Sequence, residues 1–325
     1  MVTEVPILVT ARPLMPVLAA RAEQRATGRT GRRVALVTDG GSRVPATALA
    51  AAGLHVTGLL GPDALESLAW AAEEGLPRAY ADLAALLADD VDAVAVDVPP
   101  PRSDALLDAC VRAGLGVLLT VPRTTDPTRV IAVVVAAEDA DLPHAVAVTG
   151  RADPAYDDVA ALLADAEPLQ QVTAAGWPAG GPPRAELVDL VRRWCGEIVA
   201  VCADPAAMPA PALAEDLPVT VALLTEAGTT VLAAERFGAR QSGCTLTLVG
   251  PGTRIVLAGT TLHTEGGSRP VQRADPAGGV RLAAQGLQRR TAGAAGAADL
   301  HDLAVAGRVL AAVEESRTEG GWVEL

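Results

Sequence analysis

The chain has 325 residues, a formal net charge of −13 and 50% apolar side chains, of which aromatics are a small share at 2%. That length accommodates two domains of ordinary size, and a surface this acidic disfavours nucleic acid and anionic membrane as partners. All 26 basic residues are arginine and no lysine or asparagine occurs, so no ammonium side chain is available as Schiff-base former or general acid.

Four cysteines (Cys110, Cys195, Cys202, Cys244) and four histidines (His55, His144, His263, His301) are scattered without paired metal-ligand spacing. They read as buried thiols in a reducing compartment, with no metal site. The first residues lack a basic n-region, and Arg12 and Pro13 cut their apolar run. The expectation is neither a signal peptide nor a membrane span, and a cytoplasmic location.

In chain order, residues 1–30 read as an N-terminal arm, with Val5–Thr10 extended and Pro16–Thr27 a short helix. Arg33–Thr38 is a strong buried strand ending in the turn Asp39-Gly40-Gly41-Ser42-Arg43, and Pro45–Ala52 continues as a helix. Strand His55–Leu60, a helix from Asp63 to about Glu74, helix Ala81–Ala88 and strand Ala93–Val98 follow. After Pro99-Pro100-Pro101 come helix Ser103–Ala113, strand Gly116–Thr120, helix Pro127–Glu138 and strand Ala145–Val148. Strands alternating with helices predict a doubly wound parallel sheet over residues 31–150.

Beyond Gly150 the pattern changes. Helices are predicted at Asp157–Ala166 and Ala185–Cys195, and strand-like segments at Leu169–Ala174, Ile198–Cys202, Val219–Leu224, Thr230–Ala234, Cys244–Val249 and Thr253–Leu257. Gly250-Pro251-Gly252 signals a hairpin, and His301–Glu315 a closing helix. Residues 151–325 therefore read as an α+β domain with an open antiparallel sheet, making the whole chain α/β.

The run Tyr80–Pro101, the stretch Ala113–Arg123, the segment Asp189-Leu-Val-Arg-Arg-Trp194 with Gly196, and the tail Glu315–Leu325 resemble the Gfo/Idh/MocA family of nicotinamide-dependent sugar oxidoreductases. The likeness runs from about Arg33 to Leu325. It implies a Rossmann-like first domain for the dinucleotide and a second domain for substrate and assembly.

A dinucleotide site needs a glycine turn that lets the backbone approach the pyrophosphate at a helix N-terminus. Of that G-x-G-x-x-G pattern only the middle glycine stands here, at Gly40. Thr38 adds a Cβ at the first position, Asp39 sets a carboxylate beside the phosphates, and Arg43 puts bulk at the third. Thr38, Gly40, Gly41, Arg43, Pro99 and Pro122 are the candidate cofactor residues. The second strand ends at Gly61 where the family has a ribose-binding acid; Asp63, two residues on, reads as a helix cap. Ser103 stands where members often carry histidine. The expectation is no cofactor or weak NAD(P), with NADP slightly favoured over NAD.

The resemblance likewise implies a Glu-Lys-Pro turn whose lysine works with a histidine on a second-domain helix. The matching positions here are Val121, Glu186 and Pro182, in place of lysine, histidine and an upstream aspartate. No family catalytic residue is intact. Glu186 is the candidate acid, workable if burial raises its pKa; the alternative is a solvated charge face shared with Asp189 and Arg193. Arg151, Tyr156, Trp177 and Asp189 are the remaining pocket candidates, each readable also as packing or an ion pair.

Scaffold motifs persist where reactive ones have changed. The first expectation is therefore a pseudoenzyme, assembling with itself or with a catalytically intact relative through the C-terminal sheet. The alternatives are a diverged NAD(P)H-dependent reductase of a small carbonyl or imine, similar to thiazolinyl imine reductases of secondary metabolism, or a small-ligand binder using the interdomain cleft.

Overall fold

The computed structural model describes residues 32–40, 46–120, 124–164, 166–177, 184–203, 218–236, 245–275, 277–289 and 296–325. The predicted arm at 1–30 lies outside them.

β1 (Arg33–Thr38), β2 (His55–Leu60), β3 (Ala93–Asp97), β4 (Gly116–Leu119) and β5 (His144–Val146) form a parallel sheet in the order β2-β1-β3-β4-β5. Their apolar runs have no polar face because helices cover both sides. Val34, Ala35 and Val37 of β1 have no exposed surface, and neither do Val94 and Val96 of β3. The connecting helices are α1 (Ala46–Ala51), α2 (Ala64–Glu73), α3 (Leu83–Ala88), α4 (Arg102–Arg112) and α5 (Pro127–Asp139). Chain order reverses between β1 and β3, which opens a crevice at the carboxyl ends of those strands.

A 3-10 turn, Thr149–Ala152, leaves β5 and leads to α6 (Pro154–Leu163). The second sheet has nine strands: β6 (Gln171–Trp177), β7 (Ile198–Ala203), β8 (Pro218–Thr225), β9 (Thr230–Arg236), β10 (Thr245–Gly250), β11 (Thr253–Ala258), β12 (Thr261–Thr264), β13 (Gly267–Pro270) and β14 (Trp322–Glu324). It is antiparallel apart from the β6–β9 pair, which runs parallel. The predicted hairpin at Gly250-Pro251-Gly252 joins β10 to β11, with Gly252 at φ +64°. α7 (Arg184–Cys195) packs on the sheet's inner face through Val188, Leu190 and Val191.

Two further helices complete the packing, and the second of them joins the two sheets. α8 (Gly278–Arg289), which the sequence pattern does not suggest, packs on the parallel sheet and on α1 through Val280, Ala283, Ala284 and Leu287. It approaches so closely that a Cβ on Gly279 would lie 2.9 Å from the backbone N and Cα of Thr149. α9 (Leu300–Glu319) places Leu300, Leu303 and Ala304 in the parallel-sheet core. Further along, its Ala306, Val309, Ala312 and Val313 join the core of the second sheet. Among the described residues no helix is long and apolar enough to cross a membrane.

Candidate active site

The crevice floor is built at the carboxyl ends of β1, β3 and β4. Thr38 and Asp97 are register partners, and Thr38 Oγ1 donates to Asp97 Oδ2 at 3.3 Å. Thr120 Oγ1 donates to the other oxygen, Oδ1. Asp97 is 1% exposed, so these hydroxyls do what water would otherwise do for a buried carboxylate. The first-turn amide also faces inward: Gly40 N–H donates to Thr38 Oγ1 at 3.1 Å. The hydroxyl that replaces the first glycine thus serves the turn and the acid together. The sequence pattern does not single out Asp97 and Thr120, which the structure brings to the crevice floor. The available signal was an acid at the end of the otherwise apolar run Ala93–Val98.

At the neighbouring strand end, Gly61 N–H donates to Ser67 Oγ at 2.8 Å, and Ser67 Oγ donates to the Asp63 carbonyl at 2.6 Å. The Asp63 carboxylate caps α2, accepting from the amides of Leu65 and Glu66, which is the role expected for it. On the far side, Pro99 is exposed and the turn leads into α4. The Ser103 hydroxyl is fully buried at the start of that helix and has no hydrogen-bond partner among the described residues. Asp104 Oδ1 is likewise unpartnered, while Oδ2 accepts from the Thr125 amide and hydroxyl, both at 3.0 Å.

Glu186 stands in the first turn of α7 and is 6% exposed. Its Oε1 accepts from the Thr149 amide at 2.9 Å, which sets the carboxyl at the exit of β5. Burial pushes its pKa above the ordinary carboxylate value; the Asp189 and Asp153 charges add to the rise, and hydrogen bonds from Thr149 oppose it.

The alternative of a solvated charge face fails here. Glu186 and Asp189 are buried, and Arg193 turns outward to Asp157 at 3.7 Å. Arg193, two turns along α7 from Glu186, reaches Asp157 of α6 instead of the first domain.

Of the other pocket candidates, Arg151 and Asp189 are committed to each other. Arg151 Nε donates to both Asp189 oxygens at 3.0 and 3.1 Å, Nη2 donates to Asp302 Oδ2 at 2.8 Å, and Nη1 to the Ala297 carbonyl at 2.9 Å. Tyr156 packs edge-on against Trp194, with ring centroids 5.5 Å apart and planes at 77°. The Arg273 guanidinium lies 5.3 Å from its ring centre. Trp177 ends β6, and its side chain lies outside the described residues, as do Gly41, Arg43, Val121, Pro122 and Pro182.

The histidines supply no base to the crevice. His55 and His144 begin β2 and β5, at the amino-terminal ends of the strands and so away from the crevice. His263 bonds Ser268 on the second sheet, and His301 is exposed on α9.

Residues 34–149 match the model of an oxidoreductase family with an NAD-binding Rossmann fold. Over that stretch, a little over a third of its length, the chain resembles the Gfo/Idh/MocA oxidoreductase family. An inositol 2-dehydrogenase of Corynebacterium glutamicum is 31% identical over 117 residues, which is 35% of each chain; this chain therefore spans about a third of the curated relative it matches. Across almost the whole length the likeness is one of fold. An oxidoreductase from Agrobacterium radiobacter solved with NAD+, L-tartaric acid and magnesium superposes with a TM-score of 0.76 at 16% identity, covering 91% of this chain and 98% of that one. GenD2 from gentamicin A biosynthesis, solved with NAD, gives 0.74 at 20% identity over 91% and 97%.

The expectation of no or only weak dinucleotide binding is thereby corrected. The Gfo/Idh/MocA family model that matches is NAD-binding, and solved neighbours of the same fold hold NAD. The physical reason is that a crevice at a strand-order switch, not a count of glycines, makes such a site. The residues present fit the group. Gly40 keeps the φ of +77° that brings backbone close, and the buried Ser103 hydroxyl at the same edge lacks a partner among the described residues.

Proposed function

We propose that this Gfo/Idh/MocA-like chain is an NAD(P)-dependent oxidoreductase acting on a small carbonyl or imine, with Glu186 as the proton-transfer group. The observation that carries the reading is Glu186 itself. It is a buried carboxyl with a raised pKa, held at the exit of β5 by the Thr149 amide. A perturbed acid in that position is a functional-site signal.

The bound dinucleotide would supply or accept a hydride. Gly40 and Ser103 are the residues that would hold it. Glu186 keeps its proton to higher pH than a solvated carboxylate and gives it to the imine nitrogen or carbonyl oxygen, the neighbouring carbon being the one reduced. Asp189 does not share that task, because Arg151 neutralises it. Without lysine, a protonatable imine nitrogen is easier to serve than a carbonyl oxygen.

NADPH or NADH oxidation with a panel of small imines and ketones tests this. Glu186→Gln is expected to cost about 10²-fold or more in rate with cofactor affinity retained. An unchanged rate removes Glu186 from the mechanism.

A second reading is a catalytically silent subunit that associates with itself or with an intact relative. It is supported by the outer face of the nine-stranded sheet, where Cys202, Ala222, Leu232, Thr173, Thr247 and Val256 form one register-matched, half-buried row. This reading expects no cofactor oxidation with any of the panel and a larger-than-monomer mass by light scattering. A cytoplasmic location is part of both readings, supported by Cys110, Cys195 and Cys202 being free thiols.

A further inference from the structure

Gly40 and Gly61 face the same indole. A Cβ on Gly40 would lie 2.6 Å from Trp70 Cη2, and one on Gly61 would lie 3.2 Å from Trp70 Cζ3. The benzo edge of Trp70 therefore lies against the backbone at the ends of β1 and β2, and the side chain is half-buried there. In a dinucleotide crevice the adenosine ribose lies beside these strand ends, read by an acid at the end of the second strand.

Nothing of that kind stands here among the described residues. The strand is followed by glycine, the Asp63 carboxylate is spent on capping α2, and Ser67 is committed to the turn. A cation is present instead: Arg102 Nη2 donates to the Gly61 carbonyl at 3.5 Å.

We propose that Trp70 is the adenosine-recognition residue of this chain, packing against the adenosine half of the dinucleotide in place of a diol-binding carboxylate. The site therefore accepts a 2′-phosphate as well as a 2′-hydroxyl. An aromatic face holds a nucleobase without reading its sugar. With no carboxylate at the strand end a 2′-phosphate meets no repulsion, and Arg102 offers it compensating charge. This inference rests on the reading that the chain binds NAD(P).

The test titrates NADH, NADPH, ADP-ribose and nicotinamide mononucleotide into the full chain, reading Kd by calorimetry and ligand-induced tryptophan emission. The proteins are wild type, Trp70→Phe and Trp70→Ala, with circular dichroism confirming that each is folded. Wild type is expected to bind NADH and NADPH within about fivefold of each other. Trp70→Ala is expected to weaken both, and ADP-ribose, by about tenfold, leaving the mononucleotide unchanged. Trp70→Phe should retain most of the affinity and lose the emission change. Undiminished or tighter binding of ADP-ribose by folded Trp70→Ala overturns the inference, as does wild-type discrimination of a hundredfold against NADPH. Failure of wild type to bind any dinucleotide removes the binding reading and the inference with it, an outcome distinct from the first two.

Discussion

Arg151 grips Asp189 with both Nε and Nη2, and the pair is nearly dry, at 11% and 5% side-chain exposure. Arg151 leaves β5 through the 3-10 turn and Asp189 lies on α7, so the contact joins the parallel-sheet domain to the second one. Asp302 of α9 extends it, accepting from Arg151 through Oδ2 and from Arg192 through Oδ1 at 3.0 Å. A buried pair of this kind is costly to break, because Arg151 loses its hydrogen bonds to Asp189 and keeps Asp302 as its remaining carboxylate partner. Its effect on function is indirect, since α7 also carries Glu186.

Asp189→Ala is therefore expected to lower unfolding stability by about 3–5 kcal/mol. Denaturant titration followed by circular dichroism measures it. A loss below about 1 kcal/mol would show that water replaces the pair readily.

Glu186 makes stability depend on pH in a defined direction. Its folded pKa lies above the ordinary 4.5, so the folded state favours the protonated form. Its contribution is fully present below pH 4.5 and is lost as pH rises through the folded pKa. Glu186→Gln keeps a neutral side chain at all pH values. The variant should gain in Tm relative to wild type as pH rises above 4.5, levelling once wild-type Glu186 has ionised. A difference in Tm that does not vary with pH would contradict the raised pKa.

Cysteine reactivity separates the buried thiols from the half-buried one. Burial pushes the Cys110 thiol up to about 12 and Cys195 up to about 11. Neither supplies appreciable thiolate at pH 8. Mass mapping after brief treatment with an alkylating reagent should find both unmodified in the native protein and both modified in denaturant. Cys202, half-buried on the outer sheet face, should react first of the three. Early modification of Cys110 would mean that the parallel-sheet core opens locally.

Gly279 tests how tightly α8 must approach the turn that holds Glu186. An added Cβ would meet Thr149 backbone atoms at 2.9 Å, where no side chain can rotate away. Gly279→Ala is expected to cost about 1–3 kcal/mol as an overpacked contact and to weaken the Thr149 hydrogen bond to Glu186. Thermal unfolding gives the first effect. The second would appear as a larger pH dependence in the Glu186→Gln comparison made on the Gly279→Ala background, because the Thr149 hydrogen bond is one of the contacts holding the Glu186 pKa down.

Ser316 fixes the C-terminal end of the second sheet. Its fully buried hydroxyl accepts from the Ala203 amide at 2.8 Å and donates to the Gly321 carbonyl. Ser316→Ala leaves both backbone groups short of a partner, so a loss of about 1–3 kcal/mol is expected. A neutral substitution would mean that water takes over both bonds.

The sequence by itself determined the alternation of strands and helices in the first sheet and the strands of the second as far as β11, features that follow from local periodicity and turn residues. Glu186 as the candidate acid comes from the family resemblance, by its position relative to Asp189. Tertiary structure alone decided the rest. α8 escaped notice because Gly278, Gly279 and Gly286 argue locally against a helix, yet close packing requires them: a Cβ on Gly286 would lie 2.9 Å from the Ala297 Cβ. The parallel β6–β9 pairing joins strands more than fifty residues apart, which no local pattern encodes. Asp97 meets Thr38 and Thr120, and Trp70 meets Gly40 and Gly61, only because the switch in strand order brings those chain segments together. Local pattern chooses the elements; contacts between distant segments choose the company each side chain keeps, and with it the chemistry.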